Sequence, residues 1–169
     1  MIKFITFFTL SIFDYFHKKK IIKFLKSNKN YYINLFLDIG AHKGESIKFF
    51  SENLELKKII SFEASNENFK FLKKKYNNMK NVTLENIALS SDISEKKFNQ
   101  CKESSSSTFS TINLNSKYLF NKMKYLNYSK SENFYEEQSI KTDTLDNYLN
   151  KNNIYNIDLI KIDTEGHEF

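Results

Sequence analysis

The chain has 169 residues, a formal charge of +6, one cysteine, no proline and only three glycines. That length is one domain's worth, and a hydrophobic content of 40% with 17 Phe and 10 Tyr is enough to fill a core. These figures exclude a collagen-like or compositionally disordered chain. Cys101 cannot close an internal disulfide, so nothing requires an oxidising compartment, and a cytoplasmic location is the expectation. With Lys102 as its only basic neighbour, Cys101 reads as a plain free thiol and not a nucleophile. All 26 basic residues are Lys, in a chain also rich in Asn, Ile and Phe, which looks like the codon bias of an AT-rich genome. Arg is the residue suited to bidentate phosphate and base recognition, so its absence argues against a nucleic-acid partner.

The first thirty residues form an N-terminal segment. Its apolar run is interrupted by Thr6, Thr9, Ser11 and Asp14 and falls short of the ~20 residues a spanning helix needs. Ile5, Phe8, Ile12 and Phe16 recur at helical spacing, and Lys18, Lys19 and Lys20 precede Ile21, Ile22, Phe24 and Leu25. One or two amphipathic helices are expected, packed on the domain or a partner, or making peripheral contact with an anionic membrane surface.

From residue 31 onward the pattern alternates between strand and helix. Residues 35–39 form an apolar run ending in Gly40 and predict a buried strand. Residues 46–54 place Ile47, Phe50 and Leu54 on one helical face. A second strand is expected over 59–63. It leads to a helix capped by Ser65 or Asn66 with Phe69, Leu72 and Tyr76 inward, and then to a third strand over 82–89. Further on, a short strand is expected at 96–100, a loop at 104–107, a helix over 115–125 and a strand at 138–141. A helix over 144–149 has Thr142 or Asp143 as a possible cap, and a last strand covers 157–163. Such alternation implies an α/β fold with a mainly parallel sheet.

In such sheets ligands sit outside the carboxyl ends of the strands. Asp38-Ile39-Gly40-Ala41-His42-Lys43-Gly44-Glu45 joins the first strand to a helix. There Gly40 allows a tight turn, Gly44 opens the helix entrance, and Asp38 can orient the loop or accept from an amine. Glu63 ends the second strand 25 positions after Asp38, near the ~20-residue spacing at which an acid meets ribose hydroxyls. The loop is G-x-x-x-G, without the third glycine of a dinucleotide turn or the Lys-Ser/Thr of a P-loop. A nucleoside-bearing ligand without phosphates, carrying a cationic sulfonium or amine, suits it better than a pyrophosphate. At the last turn Asp163, Glu165 and His167 alternate, which would share a face on a strand and suggest a metal. A bend into a helix at Gly166 would scatter them, so no metal site is assigned.

The segments DIGAHKGE, SFEASNENFKFL, NIALSS, KTDTLDNYL and IDLIKIDTEGHE, in that order, closely resemble the FkbM family of S-adenosylmethionine-dependent methyltransferases over nearly four-fifths of the chain, from about residue 35 to 169. The resemblance implies a Rossmann-like, mainly parallel sheet of the class I methyltransferase type. It implies S-adenosyl-L-methionine as cofactor and O-methylation of a sugar, glycan or secondary-metabolite hydroxyl. By position it implies that Asp38, Gly40, Ala41, His42 and Gly44 hold the methionine part and that Glu63 clamps the ribose, with Ala64 and Ser65 beside the adenosine. Asn86 and Ala88 fall near the adenine, and Asp163 and Glu165, with Gly166, in the turn facing cofactor and acceptor. His42 stands where relatives often carry Asn. Asp163 is a candidate general base for the acceptor hydroxyl, and Glu165 is the second catalytic candidate.

The domain so defined covers 31–169, and the family's sheet continues through further strands beyond the fourth core strand. The expectation is therefore an incomplete domain, poorly stable and weakly active alone. The competing functional expectation is a non-catalytic cofactor-binding remnant or interaction module that retains the fold.

Overall fold

The computed structural model describes residues 2–27, 32–102, 107–113, 115–125 and 134–164, with residues 2–14 described at the level of secondary structure alone. The described elements are α1 (Ile2–Ser27), β1 (Tyr32–Ile39), α2 (Glu45–Asn53), β2 (Glu55–Phe62), α3 (Asn66–Tyr76), β3 (Val82–Glu85), β4 (Ala88–Leu89), β5 (Glu95–Cys101), α4 (Lys117–Tyr125), β6 (Tyr135–Asp143), α5 (Leu145–Lys151) and β7 (Leu159–Ile162).

Four strands make a parallel sheet in the order β3-β2-β1-β7. β1 is central, with Asp38 opposite Ser61 on one side and Lys161 on the other. Every residue of β1 from Leu35 to Ile39 is buried, as a parallel strand covered on both faces requires. On one face Phe36, Ile33 and Ile59 pack with Ile47 and Phe50 of α2, Leu72 and Tyr76 of α3, and Ile22 of α1. On the other, Leu37, Ile39, Ile60 and Phe62 pack with Tyr148 of α5. The helical periodicity thus correctly identifies the inner faces of α2 and α3, although Phe69 is only half-buried. Ser65 is the cap of α3, accepting from the Asn68 N–H at 3.3 Å. The last strand is shorter than expected, and just before it Asp158 joins β1 partly through its side chain: its carboxylate accepts from the Leu35 N–H at 2.9 Å while its own N–H donates to the Leu35 carbonyl at 3.1 Å.

The main departure from the sequence reading lies at 82–89. The expected single strand is two, β3 in the first sheet and β4 in a second sheet of order β4-β6-β5. The break falls at Asn86, whose side-chain amide donates to the Glu63 and Ala64 carbonyls at 2.9 and 3.3 Å and so turns the chain out of the first ladder. In the second sheet β4 runs parallel to β6, whereas β5 and β6 pair antiparallel over seven residues from Glu95↔Lys141 to Cys101↔Tyr135. Cys101 is fully buried beside Leu119, Met123 and Phe134.

The helix cap at 144 also differs. Thr144 itself caps α5, accepting from the Asn147 N–H at 3.1 Å, and Asp143 accepts from the Thr144 N–H and the Asn147 amide. Thr142 has another task. Its hydroxyl, 4% exposed as a residue, donates toward the Asp92 carbonyl at 2.8 Å and accepts from the Ser94 N–H at 3.0 Å, tying β6 to the turn before β5. Thr142→Val keeps the shape and leaves both backbone groups unpaired, and is expected to cost about 1–3 kcal/mol in urea unfolding. Thr142→Ser, which keeps the hydroxyl, should lose clearly less.

Candidate functional site

The strand order reverses at β1: the chain moves from β1 to β2 and β3 on one side and returns to β7 on the other. This switch point opens a crevice at the carboxyl ends of the strands. A cleft of about 290 Å³ lies there, floored by the turn after β1 and walled by the ends of β2 and β7 and by the second sheet.

The floor is a turn that needs both of its glycines. Gly40 and Gly44 have φ of +78° and +79°, a region unfavourable to other residues. A Cβ on Gly40 would collide with the Asp163 carbonyl, and one on Gly44 with the Tyr76 ring. The Gly40 and Ala41 N–H groups both donate to the Phe62 carbonyl at 3.0 Å, and the Tyr76 hydroxyl donates to the Gly44 carbonyl at 2.6 Å. Between them His42 also adopts a positive φ, of +49°. The turn is thereby fixed by contacts from β2, α3 and the end of β7.

Glu63 stands at the end of β2, 7% exposed. Its Oε2 accepts from the His42 N–H at 2.7 Å, and its Oε1 from the Ser65 N–H at 2.9 Å and the Asn68 amide at 3.4 Å. The carboxylate therefore staples the glycine turn to the start of α3 and keeps one acceptor position on Oε2. Burial pushes its pKa up, against the hydrogen bonds from Ser65 and His42, which pull it down.

Asp38 lies beneath the floor, fully buried. Among the described residues neither of its oxygens receives an aligned hydrogen bond, but the Lys161 ammonium lies 3.4 Å from Oδ1. The same ammonium donates to the Gly40 carbonyl at 2.7 Å and lies 3.6 Å from the Asp163 carboxylate. Burial raises the Asp38 pKa from an ordinary 3.8 to about 6, with Lys161 opposing the rise. Lys161 is the site residue that sequence reasoning missed. Its side chain meets Asp38 only because β7 and β1 are paired in a register that places the two directly opposite.

Of the residues singled out in the sequence, Gly40, Ala41, His42, Glu63, Ala64, Ala88 and Asp163 line the cleft. Asp38, Gly44, Ser65 and Asn86 stand behind it as supports: Asp38 under the floor, Gly44 against Tyr76, Ser65 as a helix cap and Asn86 holding the turn after β2. Glu165, Gly166 and His167 lie outside the described residues, as do residues 104–106 of the expected loop. Ser107 lines the cleft. The second sheet adds Phe98 and Phe109, whose rings lie 4.9 Å apart at one wall. Nothing in the local pattern marks these aromatics, since long-range strand pairing brings them in.

The electrostatics of the cleft run against those of the chain. Glu45, Glu63 and Asp163 line it and Asp38 lies below, with Lys161 the one lysine among the lining residues. In a chain of charge +6, the cleft concentrates carboxylates.

The chain is thus a Rossmann-like α/β domain with a glycine-floored, acidic cleft at the sheet's switch point, the place where ligands sit in such sheets. The model of the Methyltransferase FkbM domain matches residues 38–169, and the chain belongs to that family. A solved structure, methyltransferase FkbM from Methylobacillus flagellatus KT, is similar at 13% identity with a TM-score of 0.45, covering 82% of this chain and 27% of that one. The chain thus spans about a quarter of that protein's length. A comparison with curated proteins gave no match.

The Asp38 pKa has a consequence for stability. Between about pH 4 and pH 6 the folded chain holds a proton on Asp38 that the unfolded chain has released. This group's contribution is therefore fully present below pH 4 and falls as pH rises through about 6, by about 3 kcal/mol. Asp38→Asn removes that slope. The stability difference between wild type and Asp38→Asn, measured by denaturant unfolding across this range, should shift toward the variant as pH rises. A pH-independent difference would contradict the assignment.

Proposed function

We propose that the chain is the cofactor-binding part of an S-adenosylmethionine-dependent O-methyltransferase acting on a hydroxyl of a sugar, glycan or secondary metabolite. The observation that carries this reading is the charge inversion at the cleft: four carboxylates around a glycine turn, in a basic chain, suit a ligand that is cationic at one end and a nucleoside at the other. Family membership supports the same chemistry.

The residues fit that cofactor. Gly40, Ala41 and His42 would border its methionine part, with Asp38 and Lys161 fixing the turn from below. Glu63 retains one acceptor position for a ribose hydroxyl, and Ala64, Ala88 and the Phe98–Phe109 wall offer apolar surface for an adenine ring. When bound, S-adenosylmethionine supplies a methyl group already activated on a sulfonium. The work left to the protein is alignment and exclusion of water. Asp163, which lines the cleft with its side chain 65% exposed, would take the proton from an acceptor hydroxyl, and Lys161 at 3.6 Å would steady its carboxylate. Glu165 is the neighbouring candidate for orienting the acceptor.

Calorimetric titration of the full chain with S-adenosylmethionine and S-adenosylhomocysteine tests this. Saturable binding of both is expected. Because Glu63→Ala would strand the His42 and Ser65 amides, Glu63→Gln is the more telling variant. It keeps an acceptor toward one of the two backbone N–H groups and sets its NH2 against the other, so thermal unfolding must verify that it folds, and it is expected to weaken binding at least about tenfold, the effect of losing one charged hydrogen bond. A folded wild-type chain that binds neither compound would exclude the reading. Binding without turnover on any hydroxyl acceptor would favour a cofactor-binding module over an enzyme.

A further inference from the structure

Over residues 15–27, where the side chains of α1 are described, one side of the helix packs on the domain. Ile22 and Leu25 pack into the first core cluster, and the Lys18 ammonium lies 5.7 Å over the Phe49 ring. With 3.6 residues per turn these three share one face. The face turned away from the domain carries Phe16, Lys20 and Phe24 at successive i, i+4 positions, with Lys23 beside them. Phe16 and Phe24 are 56% and 65% exposed, and Tyr15 and Ile21 are also exposed. Residues 15–27 hold five lysines and no carboxylate.

We propose that α1 binds the surface of an anionic lipid bilayer, laying the Phe16–Lys20–Phe24 stripe at the headgroup level and holding the domain at the membrane. Charge complementarity selects this occupant. Five lysines within nine positions are attracted to anionic headgroups, while aromatic rings between them are favoured at the boundary of headgroup and acyl chain. A second copy of the helix laid on the same stripe would bring lysines face to face. A nucleic acid would be met by lysine alone, since the chain has no arginine, and would leave both phenylalanines in water. The geometry is that of a helix lying on a membrane and not crossing it: among the described residues no helix is long and apolar enough to span one.

The test is co-sedimentation of the full chain with vesicles of phosphatidylcholine alone or mixed with phosphatidylglycerol, across a salt series. Binding to the mixed vesicles is expected, at least about tenfold stronger than to phosphatidylcholine and weakened by salt. Phe16→Ser with Phe24→Ser, and separately Lys20→Glu with Lys23→Glu, should each reduce binding about tenfold or more. All four positions are exposed and none lines the cleft, so thermal unfolding and cofactor titration should be unchanged and will verify that the variants fold. Absence of vesicle binding by the wild type would overturn the proposal. So would equal binding by the variants, tighter binding to a single-stranded nucleic acid than to the mixed vesicles, or dimerisation through this stripe in sedimentation equilibrium.

Discussion

One ammonium and one buried carboxylate organise the ligand end of the sheet. Lys161 and Asp38 face each other across the pairing of β7 with β1, and the same ammonium holds the Gly40 carbonyl. A carboxylate with no exposure and no aligned hydrogen bond is costly to keep ionised, and only the nearby cation offsets part of that cost. The pair therefore links the register of two strands that are distant in sequence to the conformation of the turn between β1 and α2. A register slip of one residue would turn Lys161 to the opposite face and remove both the counter-charge and the tie to the turn.

The turn needs that tie because it is held by polar contacts as much as by packing. Three consecutive structural demands meet in five residues: a positive φ at Gly40, at His42 and at Gly44. Glu63 answers the middle of the turn through the His42 N–H, Tyr76 answers its end through the Gly44 carbonyl, and Lys161 answers its start. Each comes from a different element, so the turn's shape reports on the assembly of β2, α3 and β7 together. A site built this way is preorganised: the groups that would meet a ligand are set before it arrives.

Much of this was legible in the sequence where the signal is local. The apolar run ending in Gly40, the helical spacing of Ile47, Phe50 and Leu54, and Ser65 before α3 each encode an element and one of its ends through short-range physics. Both described glycines lie where the backbone admits little else. What the sequence hid depends on long-range pairing. The chain from Val82 to Leu89 reads as one strand because apolar residues continue through it, and only the reach of Asn86 back to the Glu63 and Ala64 carbonyls divides it between two sheets. The antiparallel union of β5 and β6 spans a separation over which no turn signal operates. Spacing also gave the place of Glu63 but not its occupation: most of its acceptor capacity serves the backbone.

The formal charge of +6 describes no part of this protein well. Carboxylates gather at the carboxyl ends of the parallel strands, whereas residues 15–27 of α1 carry five lysines and no carboxylate. Where α1 meets the domain, Lys26 shares a recess with Glu52, Asn53, Leu54 and Glu55, at the C-terminus of α2 and the start of β2. Because the strands run parallel, that recess lies at the end of the sheet opposite the cleft. Averaging over the chain would suggest a diffuse affinity for polyanions. The acidic cleft and the basic outer face of α1 are instead two separate surfaces of one domain, and each has to be read by its own charge.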